Sequence, residues 1–222
     1  MNKQAEKLFN QGEKEAAVKL LVTDLKENPK QLPKILQLST YLVQAGDLEQ
    51  AEELLARSLE LFKNNQDLLY NLGNVYYLAD EYDKATQIFQ KLADDNYAFE
   101  AYFMMAKSLN QQGKRQLAIM YALTAVEKSP DDLQSNELLA DLLLSNGNFQ
   151  EALSFYQTAS KIHPEAKFYF NMALCAMNLK LDYQNYLDQA KKLDEDYYLK
   201  NEKKLADLQE FIKKQGDNDD GQ

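Results

Sequence analysis

The chain has 222 residues, of which 45% are hydrophobic and 27% charged, enough apolar content to fold around a core, and its formal net charge is −10. An acidic surface repels phosphate backbones and anionic lipid headgroups, so neither nucleic acid nor a membrane surface is expected as a partner. One cysteine, Cys175, excludes an internal disulfide and any multi-cysteine metal site, and with no apolar h-region after Met1 and no membrane-length apolar run, a soluble cytoplasmic protein is expected.

Seven glycines and four prolines punctuate the chain. Gly12, Gly46, Gly113 and Gly147 each precede an alanine by five residues, and Asp80 takes the glycine's place before Ala85. The alanines Ala17, Ala51, Ala85, Ala118 and Ala152 are separated by 34, 34, 33 and 34 residues. A period of this length marks a stack of helical hairpins. A residue with positive φ ends the first helix of each hairpin, a conformation open to glycine and tolerated by Asp or Asn. The alanine occupies a close helix crossing.

In chain order, the pattern divides into hairpins at 1–31, 32–65, 66–98, 99–132, 133–165 and 166–196. The first has a short leading helix, about residues 2–10, with Ala5, Leu8 and Phe9 facing inward. The second opens on Pro33, in a first turn where proline is tolerated. The third places Leu69, Leu72, Gly73 and Tyr76 on one helix face, with Tyr82, Ala85, Ile88, Phe89 and Leu92 on the packing face of its mate. Pro29, Pro130 and Pro164, each twelve residues after an alanine, stop the second helices of the first, fourth and fifth. The sixth is irregular: Lys180-Leu181-Asp182-Tyr183 replaces the glycine turn. Residues 198–214, with Leu205, Leu208, Phe211 and Ile212, read as an amphipathic helix that caps the last hairpin. Residues 216–222 lack apolar side chains and read as a disordered acidic tail after a folded region of 1–215.

These residues resemble the tetratricopeptide repeat family. The third hairpin matches its pattern at Leu72, Gly73, Tyr76, Tyr82, Ala85 and Phe89. The fifth matches at Leu139, Ala140, Gly147, Phe149, Ala152, Ala159 and Pro164, and departs with Asn136 at a large-residue position and Tyr156 at a Phe position. The resemblance covers residues 1 to about 195. It implies an all-α fold, an α-solenoid of about six hairpins wound as a right-handed superhelix, and a role in binding other proteins.

Catalytic chemistry is not expected. The sequence has no GxxxxGK[ST] or GxGxxG phosphate loop, and its single histidine, His163, precedes Pro164 in a turn. Cys175 lies among Met172, Leu174, Ala176 and Met177 and reads as a buried thiol. No cofactor and no metal are called for.

A partner is expected on the first helix of each hairpin, where positions left free by packing recur at i, i+3, i+4 and i+7. That stripe is Asp67, Tyr70, Asn71, Asn74 and Tyr77 in the third hairpin, and Glu100, Phe103, Met104, Lys107 and Asn110 in the fourth. It continues as Gln134, Glu137, Leu138, Asp141 and Leu144, then Lys167, Phe170, Asn171, Leu174 and Met177. Asparagines match both the C=O and the N–H of a peptide, and the rings and methionines supply adaptable apolar area. The expected peptide-binding set is Tyr70, Asn71, Asn74, Tyr77, Phe103, Met104, Lys107 and Asn110. A Lys/Asn/Arg clamp for acidic chaperone tails, used by one sub-class of the family, is not matched. Asn74 fits its first asparagine, but Tyr70, Met104, Gln134 and Leu138 stand at its other positions. The expected function is therefore a non-catalytic, cytoplasmic, bacterial interaction scaffold, against the alternatives of a self-associating solenoid or a ligand-responsive regulatory domain.

Overall fold

The computed structural model describes residues 1–94, 97–203 and 205–207. Twelve helices fill them: α1 Lys3–Asn10, α2 Lys14–Glu27, α3 Leu32–Ala45, α4 Leu48–Leu61, α5 Gln66–Leu78, α6 Tyr82–Gln90, α7 Ala98–Gln111, α8 Arg115–Lys128, α9 Leu133–Ser145, α10 Phe149–Ile162, α11 Ala166–Asn178 and α12 Gln184–Leu193. Residues 195–203 and 205–207 are helical as well, and no strand occurs among the described residues. The punctuation sets the ends. Gly12, Gly46, Gly113 and Gly147 take φ between 72° and 87°, and Asp80 adopts the same left-handed region at 59°. Lys180 does so at 58°, filling the glycine's role in the irregular sixth turn. α2, α8 and α10 each stop two residues before Pro29, Pro130 or Pro164. Ala17, Ala51, Ala85, Ala118 and Ala152 are all fully buried.

The helices form two compact units, Met1–Lys114 and Arg115–Gln222. In the first, α1 to α5 enclose a core that includes Leu21, Ile35, Leu38, Leu55, Leu68, Leu72 and Val75, with Ile88 of α6 packed against it. Its amino-terminal end is tied down by Asn2. The Asn2 Oδ1 accepts from the Gln4 and Ala5 amides, capping α1, while its Nδ2 donates to Asp24 Oδ2 at 2.7 Å. Gln37 accepts from the Asn2 backbone N–H at 2.7 Å and donates to the Tyr41 hydroxyl at 3.0 Å. The Tyr41 ring stacks on Phe9, with centroids 3.9 Å apart. A short leading helix that could not nucleate alone is thus held by polar contacts and one ring stack.

In the second unit, α8 packs on α9, α9 on α10, α10 on α11 and α11 on α12. Asn136, the departure from the family's large residue, is buried and donates to the carbonyls of Pro130 and Asp132, both at 2.8 Å. Its amide stitches the preceding turn to α9, which a large apolar side chain could not do. Phe170, Ala173, Met177, Leu187 and Ala190 pack with Leu205 from the carboxy-terminal helical residues. Phe170 is 1% and Met177 5% exposed, so both leave the groove stripe that the sequence assigned them and serve the core instead. The rings of Tyr197 and Tyr198 each meet Phe170 edge-on, at 6.1 and 6.5 Å. Of the expected cap at 198–214 and tail at 216–222, residues 204 and 208–222 lie outside the described residues.

Candidate functional site

The first helices of three successive hairpins, α3, α5 and α7, line an open groove of about 380 Å³ within the first unit. α5 contributes Asn71, Asn74, Tyr77 and Leu78, and α7 contributes Met104 and Lys107. α3 adds Thr40, Val43 and Gln44. These three lie outside the stripe read from sequence, which began at the third hairpin. The signal for them was present: Thr40, Asn74 and Lys107 are 34 and 33 residues apart, so they occupy one repeat phase and form one row across the helices.

Lys107 carries the groove's charge. Its Nζ stands 5.0 Å from the Tyr77 ring centroid and 5.5 Å from that of Phe103. Two ring faces hold the ammonium in place without neutralising it. Lys107 has no ion pair among the described residues. Asn74 likewise makes no side-chain hydrogen bond among them, so its amide is open to a ligand as both donor and acceptor. Asn71 is half committed: its Nδ2 donates to the Asp67 carbonyl one turn back at 2.7 Å, leaving its oxygen.

The remaining expected site residues lie around this row rather than in it. Tyr70 is stacked on Tyr97, with centroids 4.9 Å apart, and meets the buried Phe89 edge-on at 6.1 Å. The Tyr97 hydroxyl donates to Asp67 Oδ1 at 2.6 Å. That hydrogen bond, with burial, pushes the Tyr97 phenol up to about 12, so it stays protonated and the ring stays on Tyr70. Phe103 stacks on Phe99 at 6.5 Å and reaches the groove by supporting Lys107. Met104 is nearly buried and forms part of the groove floor. Asn110 is exposed on the last turn of α7, outside the lining. The structure thus brings together Asn71, Asn74, Tyr77, Met104 and Lys107, with Phe103 as a support of Lys107, while Tyr70 packs apart on Tyr97 and Phe89.

The later stripe is spent differently. In the second unit the Tyr156 hydroxyl donates to Asp141 Oδ1 at 2.5 Å and accepts from Asn171 Nδ2 at 3.0 Å. Lys167 pairs with Glu137 at 2.7 Å and with Glu165 at 3.2 Å. Acids and amides that could have faced a partner are used to join α9, α10 and α11.

Among the described residues no three His, Cys, Asp or Glu side chains converge as a metal site would require. Nor is any described helix long and apolar enough to cross a membrane. His163 is exposed and its Nδ1 lies 3.3 Å from Glu165. Cys175 is buried, which pushes its thiol up to about 12.

Two family profiles described as tetratricopeptide repeat match residues 42–108 and 103–167, together more than half of the chain. The chain belongs to the tetratricopeptide repeat family. Tetratricopeptide repeat protein 29 of Macaca fascicularis is 24% identical over 200 residues, which cover 78% of this chain and 42% of that protein. The chain spans less than half the length of the curated relatives it matches. Among solved structures, PilF of Pseudomonas aeruginosa superposes with a TM-score of 0.72 at 18% identity, covering 87% of this chain and 90% of its own. YrrB, described as a TPR protein with an unusual peptide-binding site, superposes at 0.67 with 23% identity, covering 82% and 97%. At these identities the likeness shows the fold. Tetratricopeptide repeat proteins serve in general as protein–protein interaction scaffolds.

Proposed function

We propose that this tetratricopeptide repeat protein is a non-catalytic cytoplasmic adaptor that holds an extended segment of a partner protein in the α3–α5–α7 groove. The observation that carries the reading is the row Thr40, Asn74, Lys107, in which an open amide and an unneutralised ammonium stand together over an apolar floor. Asn74 reads the peptide backbone. Lys107 meets an acidic side chain, and Tyr77 and Met104 take apolar side chains. A groove of about 380 Å³ falls within the range of about 300–1,000 Å³ typical of ligand sites and holds a short stretch of chain. That YrrB, alike in fold, is described as having a peptide-binding site supports a peptide as the occupant. The single buried cysteine suits a reducing compartment.

The test is to select linear peptides from a random displayed library on the wild-type protein. Their affinities are then measured for wild type, for Asn74→Ala with Tyr77→Ala, and for Glu52→Ala with Glu53→Ala on α4. Loss of a ring anchor at such a site costs about 2 kcal/mol or more. Selected peptides that bind the groove variant as well as wild type, and lose affinity for the α4 variant, would place the binding site on the other face.

A further inference from the structure

α8, with sequence RQLAIMYALTAVEK, carries apolar residues on every face. A helix of that kind is normally buried all round. α8 is not: Leu117 is 45%, Met120 63% and Leu123 42% exposed. Most other exposed large apolar residues need no explanation, since Leu61, Leu78, Ile162 and Leu193 are each the last residue of a helix. Those of α8 lie within the helix, each three residues after the last, and form an exposed stripe within two turns.

The charge around the stripe says what covers it. From Ala101 to Val126 the sequence contains no Asp or Glu, in a chain with 35 of them and a net charge of −10. Two copies of so acidic a protein repel each other over most of their surface, and α8 itself carries no carboxylate before Glu127, so its stripe adds none to that repulsion. Arg115 begins α8, and Glu127 stands beside Lys128 at its end. Neither Arg115 nor Glu127 has an ion-pair partner among the described residues.

We propose that two copies of this chain pair through the exposed stripe of α8, antiparallel about a two-fold axis. That arrangement lays the Met120–Leu123 stretch upon itself and sets Arg115 of each copy against Glu127 of the other, twice over by symmetry. It also opposes the two helix dipoles favourably. A fourteen-residue helix is about 21 Å long, so the contact is at the small end of specific interfaces and the dimer dissociates at roughly 1–100 μM. The pairing uses no residue of the peptide groove and doubles the number of grooves presented to a partner.

Sedimentation equilibrium of the full chain from about 1 μM to about 500 μM tests this. The weight-average mass rises from 25.6 kDa toward twice that value. Met120→Glu with Leu123→Glu stays at the monomer mass with unchanged helicity by circular dichroism. Arg115→Glu and Glu127→Arg each weaken the dimer several-fold, and the two changes combined restore it, which decides the matter should the apolar-face variant fail to fold. A monomer at every concentration overturns the proposal and leaves the stripe to a different protein. Growth beyond the dimer overturns the two-fold arrangement, and failure of the double charge exchange to restore pairing overturns its antiparallel sense.

Discussion

The Tyr156 hydroxyl lies 2.5 Å from the Asp141 carboxylate and at the same time accepts from Asn171, so one phenol on α10 links α9 to α11. The ring itself is fully buried where the family pattern has Phe. Tyr156→Phe keeps the ring and removes the link, leaving Asp141 and Asn171 without their shared partner. The expected loss is about 1–2 kcal/mol, read as a lower urea midpoint with an unchanged slope. An unchanged midpoint would mean that water replaces the hydroxyl at no cost.

Gly73 lies beneath the Phe89 ring, and a Cβ placed there would stand 2.8 Å from two of its carbons. Phe89 is fully buried and meets Tyr70 edge-on, so the ring has little room to yield. Gly73→Ala is expected to destabilise by about 1–3 kcal/mol through overpacking, despite the helix propensity that alanine gains. A double-mutant cycle with Phe89→Leu, which gives up the clashing ring atoms, should recover much of that loss. Additive effects in the cycle would show that the clash is not the cause.

The fold was readable because a solenoid writes its packing locally. Ala85 and Ala118 mark crossings, Gly46 and Asp80 mark turns, and each signal recurs at a near-constant interval, so no long-range contact had to be guessed. The candidate site was less readable. Sequence spacing places Asn74 and Lys107 on the same face as Tyr70 and Phe170, yet it cannot say which of them a neighbour will cover. Tyr97 covers one face of Tyr70, and Leu205 packs with Phe170 from residues far along the chain. Asp141 and Asn171 fell to Tyr156 because a single phenolic oxygen reached two helices. The groove's α3 wall was legible and follows from extending the repeat phase one hairpin back, from Asn74 to Thr40.

Asp24 accepts from Lys34 Nζ at 2.6 Å and from Asn2 Nδ2 at 2.7 Å. The Lys34 hydrogen bond first, then that of Asn2, holds its carboxyl below the ordinary value of 3.8. A depressed carboxylate contributes stability above its unfolded value and loses it as pH falls through the folded one. The stability difference between wild type and Asp24→Asn is therefore expected to be full above about pH 5 and to shrink below the ordinary carboxylate value. Thermal melts of both proteins from neutral pH to acid check this. A difference that persists undiminished at low pH would assign it to packing rather than charge.

Cys175 is fully buried on α11, and burial pushes its thiol up to about 12. The thiolate is the reactive species, so at pH 8 its population falls on the order of 10³-fold below that of a free cysteine, before access is considered. A thiol reagent added to the folded protein should modify Cys175 only at the rate of unfolding, and at once in denaturant. Rapid stoichiometric labelling of the native chain would contradict the buried placement.

The carboxy-terminal residues offer the last prediction. Leu205 is buried against Phe170, Ala173, Met177, Leu187 and Ala190, and Tyr198 meets Phe170 edge-on. In a repeat array the final hairpin has no successor to bury its outer face, so those contacts take the successor's place. Removal of residues 198–222 deletes Leu205 and Tyr198 together and leaves Phe170 and Met177 facing water. Removal of 216–222 alone deletes Gly216-Asp217-Asn218-Asp219-Asp220-Gly221-Gln222, a stretch with no apolar side chain to contribute. The shorter truncation should melt at the wild-type temperature. The longer one should melt several degrees lower, bind a dye for exposed apolar surface and aggregate more readily, as expected when core-packing residues on the order of a Leu→Ala loss of about 2 kcal/mol or more are withdrawn. Leu205→Glu in the full chain separates burial from chain length, since it keeps every residue and places a charge in the apolar contact. If that variant and the longer truncation both melt as wild type does, the residues after 197 are no cap, and Phe170 and Met177 hold the end of the array by themselves.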